Sequence, residues 1–211
     1  MDAAGRENDW LVNCGSENAV ELTLKSFLRA QGVNSIPRLI LTEGDLRNVG
    51  GAESLDQLFG VGELVTSPIR FRSTAYRETV ANFDKPPAQH KTIQRGDTIG
   101  SWRVLHPCAT NSFSRADDNA LVLLGTFHRT KLLLLSDLGR GGQSALLECT
   151  NNLRADNVVA GLPTEREPLC DAVLEAVQPK VIVVADSDFP VNRRAGDTLK
   201  KRLAQTKISV I

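Results

Sequence analysis

Histidine and cysteine, the residues that most often bind zinc in proteins, are scarce in this chain. Its 211 residues include three histidines, His90, His106 and His128, which are scattered along the sequence. Imidazole is also the side chain best suited to acid–base catalysis near neutral pH. A conventional site for two zinc ions takes about four or more imidazoles, which is more than the chain contains. We therefore expect no bound metal of that kind.

The cysteines form no recognisable motif. They are far apart in sequence and make no Cys-x-x-Cys pair, so a structural zinc site and a redox motif are both disfavoured. We expect them to be small buried apolar residues or incidental thiols. The four are Cys14, Cys108, Cys149 and Cys170.

A glycine-rich segment, residues 138–144, lies between a predicted strand and a predicted helix and reads Leu-Gly-Arg-Gly-Gly-Gln-Ser. The backbone N–H groups of such a segment could hold a phosphate. However, the segment lacks both the Gly-Lys-Ser/Thr ending of a P-loop and the Gly-x-Gly-x-x-Gly frame. We therefore favour a plain tight turn over a phosphate site.

The chain has no overall charge preference, because 25 Lys and Arg residues balance 25 Asp and Glu residues. Affinity for DNA or another polyanion must therefore come from a local surface. The middle of the chain is locally basic, which allows a nucleic-acid contact without showing one. Its cations are Arg70, Arg72, Arg77, Lys85, Lys91, Arg95 and Arg103, and its acids are Glu78, Asp84 and Asp97.

A second basic run lies near the C-terminus, mostly on a predicted helix. Its side chains are candidates for contact with a DNA backbone, since affinity rises with the number of phosphates neutralised. The alternative is a solvated charged face, the commoner outcome on a terminal helix. The candidate residues are Arg193, Arg194, Lys200, Lys201 and Arg202.

Apolar runs and helix signals alternate along the chain and predict a mixed α/β fold. Strands near both ends enclose helices, and two apolar runs around a polar turn at residues 128–131 predict a β-hairpin. We expect one domain over residues 1–211, with residues 67–95 as an insertion or lid. No apolar run reaches the roughly 20 residues of a membrane-spanning helix, and the N-terminus has no apolar signal core.

The order of several short motifs resembles the metallo-β-lactamase fold, and within it the soluble domain of ComEC-type competence proteins, which bring DNA into bacteria. The match runs from about Trp10 to near the C-terminus. The motifs are Leu-Val-Asn-Cys-Gly at 11–15, Ile-Leu-Thr at 40–42, Val-Gly-Gly at 49–51, Gly-Asp at 96–97, Val-Leu-His-Pro at 104–107, Asp-Asn-Ala-Leu-Val-Leu at 118–123, Leu-Leu-Ser-Asp-Leu at 134–138 and Gln-Pro-Lys-Val at 178–181.

This resemblance implies a four-layer αβ/βα sandwich with a site for two Zn or Mn ions where loops of its halves meet. The family's first strand, ending in Asp-Val-Gly-Gln-Gly-Asp, is absent here. Its metal loop, rich in histidine, corresponds to residues 42–51, where Asp45 alone matches an acidic ligand. Arg47 replaces a metal-binding aspartate, and a guanidinium has no lone pair to give a metal. Asp137 matches the family's bridging aspartate, and residues 162–164 replace its later histidine segment.

Two interpretations of this degenerate site remain open. Glu43, Asp45 and Asp137, with Asn48, could form an oxygen-only pocket for Mg²⁺ or Mn²⁺, since hard cations accept carboxylate and amide oxygens. Alternatively, Arg47 could pair with Asp45 and Asp137 and so supply the positive charge that a metal once gave them. We favour the ion pair, which leaves no cofactor, no metal and no catalytic residue.

The resemblance therefore implies a metal-free module of a competence protein that contacts DNA or scaffolds an uptake channel. The expected partners are single-stranded DNA and the membrane channel portion of a parent protein, at the extracytoplasmic face of a bacterial inner membrane. One alternative is a residual Mg- or Mn-dependent phosphodiesterase or nuclease that uses Asp45 and Asp137. A second alternative is a purely structural domain without a ligand.

Overall fold

A computed structural model of the chain describes residues 9–108, 113–186 and 194–211. The chain divides into two compact units, Met1–Ile93 and Gln94–Ile211. Each unit has its own sheet and its own hydrophobic core. The expectation of a single domain with a lid at residues 67–95 stays a prediction.

The first unit contains a four-stranded sheet in the order β1-β2-β3-β4, in which all neighbouring strands are parallel. A helix with a central π-helical turn, here α1, follows β1. Its parts are Glu17–Ala19, Val20–Leu24 and Lys25–Ala30. The other elements are β1 (Trp10–Val12), β2 (Ile36–Ile40), α2 (Leu46–Val49), α3 (Ala52–Phe59), β3 (Val61–Thr66), α4 (Thr74–Phe83) and β4 (His90–Thr92).

Local sequence signals explain most of these elements. Ser16 caps α1, since its Oγ accepts a hydrogen bond from the Ala19 N–H at 3.3 Å, as a serine at this position is expected to do. In α3, the apolar residues Ala52, Leu55 and Phe59 recur at helical spacing and are all buried. This stripe packs the helix against the core of the first unit.

The second unit contains a seven-stranded sheet in the order β11-β10-β9-β8-β7-β6-β5. The pairs β5–β6, β6–β7 and β7–β8 are antiparallel, whereas the pairs from β8 to β11 are parallel. Its elements are β5 (Thr98–Ile99), β6 (Trp102–His106), a 3₁₀ turn (Asp117–Asn119), β7 (Val122–Phe127), β8 (Thr130–Ser136), α5 (Arg140–Cys149), β9 (Asn157–Ala160), α6 (Asp171–Val177), β10 (Val181–Val184), α7 (Asp197–Ala204) and β11 (Ser209–Val210).

The structure corrects the local predictions in two places. Residues 43–51, predicted as a polar loop, contain the short helix α2, because the Asp45 carboxylate caps its first turn. The predicted four-residue hairpin turn is shorter, since β8 already begins at Thr130. His128 takes a positive φ of 53° there, which lets the chain reverse within two residues. The hairpin itself is confirmed by the pairing of β7 with β8.

None of the helices in the described part of the chain has both the length and the apolar character needed to cross a membrane.

Candidate functional site

In the first unit, the candidate residues follow the carboxyl end of β2. Leu41, Thr42 and Glu43 are completely buried. The Thr42 backbone N–H donates to Asn13 Oδ1 at 3.0 Å, and Asn13 Nδ2 donates to Thr42 Oγ1 at 2.9 Å. Because Asn13 directly follows β1, these bonds tie the ends of two neighbouring parallel strands together. They fix the start of the loop that carries the acidic residues.

Asp45 is held by Arg47 on both of its carboxylate oxygens. Arg47 Nε lies 3.0 Å from Asp45 Oδ1, and a terminal guanidinium nitrogen lies 3.2 Å from Oδ2. Oδ1 also accepts the Arg47 backbone N–H at 2.8 Å, which caps α2. The structure thus contains the Asp45–Arg47 ion pair that we favoured. The part assigned to Asp137 in that interpretation stays a prediction.

Glu43 and Asn48 form a second polar contact in the same loop. Asn48 Nδ2 donates to Glu43 Oε1, and the Asn48 carbonyl accepts the Cys14 backbone N–H at 2.9 Å. The Cys14 thiol lies 3.4 Å from the same carbonyl. Burial raises the pKa of Cys14 to about 12, so the thiol stays protonated at neutral pH. Cys14 is therefore the buried structural thiol that the sequence predicted rather than a nucleophile.

Phe71 packs directly on Gly44, between Glu43 and Asp45. A Cβ added to Gly44 would lie 2.3 Å from Phe71 Cβ, so only glycine allows this approach. Phe71 in turn meets the edge of Tyr76, with ring centroids 5.0 Å apart. The sequence gave no sign of this contact, because the aromatic pair lies in the segment that we expected to be an insertion.

His90 links β4 to its neighbours rather than to a ligand. Its Nδ1 lies 2.8 Å from Asp84 Oδ1, and its Nε2 lies 2.8 Å from Thr66 Oγ1. This Asp–His–Thr order is that of a nucleophilic triad. However, Thr66 is 1% exposed, and its hydroxyl donates to the Ser67 carbonyl at 3.0 Å. No substrate can reach the hydroxyl, so the contact is structural.

In the second unit, Asp137 follows β8 and is 8% exposed. The preceding Ser136 has a positive φ of 53°, and the register of β8 against β9 shifts between Leu134 and Ser136. Gly161, which directly follows β9, lies so close that a Cβ added there would be 1.6 Å from Asp137 Oδ1. The absence of a side chain at Gly161 therefore makes room for the Asp137 carboxylate.

Two further aspartates of this unit were not among the sequence candidates. Asp118 Oδ1 accepts the Gly142 N–H at 3.1 Å in the first turn of α5. Asp117 Oδ2 accepts the Thr164 N–H at 2.6 Å. The glycine-rich segment that could have held a phosphate is thus bound to a carboxylate of the same chain. This supports the plain structural turn.

His106 also has a structural role in the second unit. It is 2% exposed, and its Nε2–H donates to the Asp118 carbonyl at 2.9 Å. Burial lowers the pKa of His106, and the hydrogen bond to Asp118 opposes that shift only in part. The imidazole is therefore neutral at physiological pH.

The C-terminal basic candidates differ in how they are engaged. Arg202 on α7 is bound to Glu167 and Asp171, with 2.7 Å to the latter carboxylate, and donates to the Leu169 carbonyl. Lys200 Nζ lies 4.0 Å from Asp186 Oδ2. Lys201 is exposed and Arg194 is half-buried, whereas Arg193 lies outside the described residues. The guanidinium of Arg202 is thus already neutralised by carboxylates of its own unit.

The residues of the β2 loop do not fit a site for two zinc ions. Asp45 is engaged by Arg47 on both oxygens, and a guanidinium cannot ligate a metal. Glu43 accepts from Asn48. Across residues 9–108, 113–186 and 194–211, no three His, Cys, Asp or Glu residues are grouped so that they could hold a metal ion.

Comparison with known proteins supports both the fold and the competence resemblance. No protein-family model matches the chain. The chain is 26% identical over 170 residues to ComE operon protein 3 of Bacillus subtilis (strain 168). This similarity covers 78% of the chain but only 22% of that relative, so the chain spans about a fifth of the relative's length.

Solved structures of low sequence identity share the fold. The metallo-β-lactamase fold protein YhfI of Bacillus subtilis has a TM-score of 0.54 at 15% identity, over 98% of this chain and 85% of its own. Zn²⁺-bound PqqB of Methylobacterium extorquens has a TM-score of 0.55 at 12% identity, over 99% and 83% of the two chains. The predicted fold class is therefore confirmed: the chain is a mixed α/β protein of the metallo-β-lactamase fold, similar in sequence to ComE operon protein 3.

Proposed function

We propose that this chain is a metal-free, non-catalytic module of a DNA-uptake protein, and that it contacts the incoming DNA strand. The observation that carries the metal-free part is the bidentate contact of Arg47 with Asp45. In the fold family, the corresponding positions hold metal ligands. Here a permanently charged guanidinium occupies one of those positions and engages the neighbouring carboxylate, which leaves no role for a divalent cation at Asp45.

The DNA-uptake part rests on the sequence similarity to ComE operon protein 3 together with the motif order that resembles ComEC-type proteins. Because the chain matches only 22% of that relative, the channel portion of such a protein would be a separate partner. In that arrangement the module lies at the extracytoplasmic face of a bacterial inner membrane. A module that only scaffolds the channel would share the fold but would bind no DNA.

Metal analysis of the purified protein tests the metal-free part. We expect zinc and manganese to be substoichiometric after incubation with either ion and removal of the excess. We also expect no hydrolysis of a phosphodiester substrate in the presence of Mg²⁺ or Mn²⁺. The matched variant is Asp45→Asn, which removes the charged ligand but keeps an oxygen to cap α2.

A stoichiometric metal ion in the unmodified protein, lost in Asp45→Asn, would overturn the metal-free proposal. That result would favour the residual phosphodiesterase, with Asp45 as a ligand in place of an ion-pair partner. A metal that binds equally to both proteins would overturn the metal-free proposal as well, and would place the ion away from the β2 loop.

A further inference from the structure

Three arginines form a compact positive surface in the first unit, which we call the arginine patch: Arg70, Arg72 and Arg77. All three are exposed. Arg70 and Arg72 flank Phe71, which is 5% exposed, so both arginines lie on the solvent side of a segment anchored by its central aromatic ring. The contact of Phe71 with Tyr76 brings this segment beside the first turns of α4, where Arg77 follows Tyr76.

The patch retains its positive charge because few acids surround it. Residues 67–93 contain five Arg and Lys residues but two acids, Glu78 and Asp84. Asp84 is engaged by His90 at 2.8 Å. Within the part of the chain that the structure describes, none of the three guanidinium groups of the patch has a hydrogen bond or an ion pair.

Other arginines of the chain are used differently. Arg38 binds Glu63, Arg47 binds Asp45 and Arg202 binds Glu167. The donors of those side chains are occupied by carboxylates of the protein itself. The donors of the arginine patch remain available, and a guanidinium fork matches the oxygens of a phosphate in a bidentate manner.

We propose that the arginine patch binds the phosphodiester backbone of single-stranded DNA. This inference rests on the proposed function and names the surface that performs it. Phe71 and Tyr76 are 5% and 4% exposed, so they cannot stack on bases and the contact is limited to phosphates. Binding should therefore be independent of sequence and sensitive to salt. A flexible single strand can bring successive phosphates to cations whose spacing the fold determines.

The test is a titration of a fluorescently labelled oligothymidylate at several salt concentrations, with binding followed by anisotropy. The patch variant is Arg70→Glu with Arg72→Glu. The matched control is Lys25→Glu with Arg29→Glu, which makes the same charge change on α1 of the same unit. All four side chains lie at the surface or are partly exposed, and circular dichroism should show that both variants fold.

We expect the patch variant to lose about tenfold in affinity at low salt. Its slope of log affinity against log salt should fall by about 1.4, since each phosphate of a single strand contributes about 0.7. The control should change affinity by less than about threefold, through the long-range field alone. Equal losses in both variants would overturn the inference, because the effect would then be one of net charge.

Two further results separate this inference from the proposed function. If the unmodified protein binds the oligonucleotide and only Lys200→Glu with Lys201→Glu weakens it, the patch assignment is wrong but the DNA contact stands. If the unmodified protein binds no oligonucleotide, both the patch assignment and the DNA contact fall, and the scaffold function is favoured. Arginine-dependent binding to vesicles with anionic headgroups, without DNA binding, would make the patch a membrane surface and overturn the inference.

Discussion

Asp118 places its carboxylate at the start of α5, where Oδ1 accepts the Gly142 backbone N–H at 3.1 Å. The backbone of the same residue accepts a hydrogen bond from His106. A helix N-terminus attracts anions because its first N–H groups have no partner within the helix. In this chain that position is filled by an acid 24 residues earlier in the sequence, which links the 3₁₀ turn to α5.

The first prediction concerns this link. Asp118→Ala should lower the free energy of unfolding by about 1–2 kcal/mol, because α5 loses its capping acceptor. Asp118→Asn should lose less, since an amide oxygen can still accept the Gly142 N–H. Urea denaturation measures both. Glu148→Ala, an exposed acid near the other end of α5, is the control and should stay within about 0.5 kcal/mol of the unmodified protein. An equal effect at both positions would contradict the capping role.

The second prediction concerns the Asp45–Arg47 ion pair. Its side chains are 29% and 31% exposed, so solvent screens the interaction. A double-mutant cycle with Asp45→Asn and Arg47→Ala should give a coupling energy of about 0.2–1 kcal/mol that decreases with added salt. The measurement is urea denaturation of the four proteins. A coupling that salt leaves unchanged would indicate a buried pair with a larger structural role than we assign to it.

Part of this site could be predicted from the sequence because its signals are local. Asp45, Arg47 and Asn48 lie within one turn of each other, and Glu43 directly follows a buried strand, so their proximity needs no tertiary information. The apolar spacing of Leu55 and Phe59 likewise predicted α3, because helical periodicity is visible in a short window. The order of the strands followed from the same kind of pattern.

The remaining contacts depend on residues that are distant in sequence. Asp117 binds a backbone group 47 residues away, and Asp118 binds one 24 residues away. Two adjacent aspartates in a polar stretch resemble ordinary turn residues, and no local pattern distinguishes the caps from solvated acids. The same holds for Arg202, whose carboxylate partners lie 31 and 35 residues earlier.

The third prediction concerns His106 and pH. Burial lowers the pKa of His106 below its ordinary value of 6.5. The folded protein therefore favours the neutral ring, whereas the unfolded chain takes up a proton near pH 6.5. The stability linked to this residue is fully present above that pH and is lost as the pH falls below it. The loss amounts to about 1.4 kcal/mol per pH unit until the pKa of the folded state is reached.

Urea denaturation between about pH 7 and pH 5 tests this linkage. His106→Gln keeps an N–H donor for the Asp118 carbonyl but cannot take up a proton, so its stability should vary less with pH than that of the unmodified protein. His128→Asn is the control, because His128 is exposed and asparagine tolerates the positive φ of that turn. If His106→Gln and the unmodified protein show the same pH dependence, other groups cause it.

The fourth prediction concerns the close approach of Gly161 to Asp137. A methyl group at residue 161 would overlap Asp137 Oδ1, which would be 1.6 Å away, and would lie 2.9 Å from its Cγ. Gly161→Ala should therefore displace the carboxylate and lower the free energy of unfolding by about 1–3 kcal/mol, the usual cost of overpacking a well-packed site. Because the overlapping atoms belong to one side chain, Asp137→Ala with Gly161→Ala should be more stable than the sum of the two single effects predicts. Urea denaturation of the single and double variants measures this coupling. Strict additivity would show that the backbone at Gly161, and not the Asp137 carboxylate, is what excludes a side chain there.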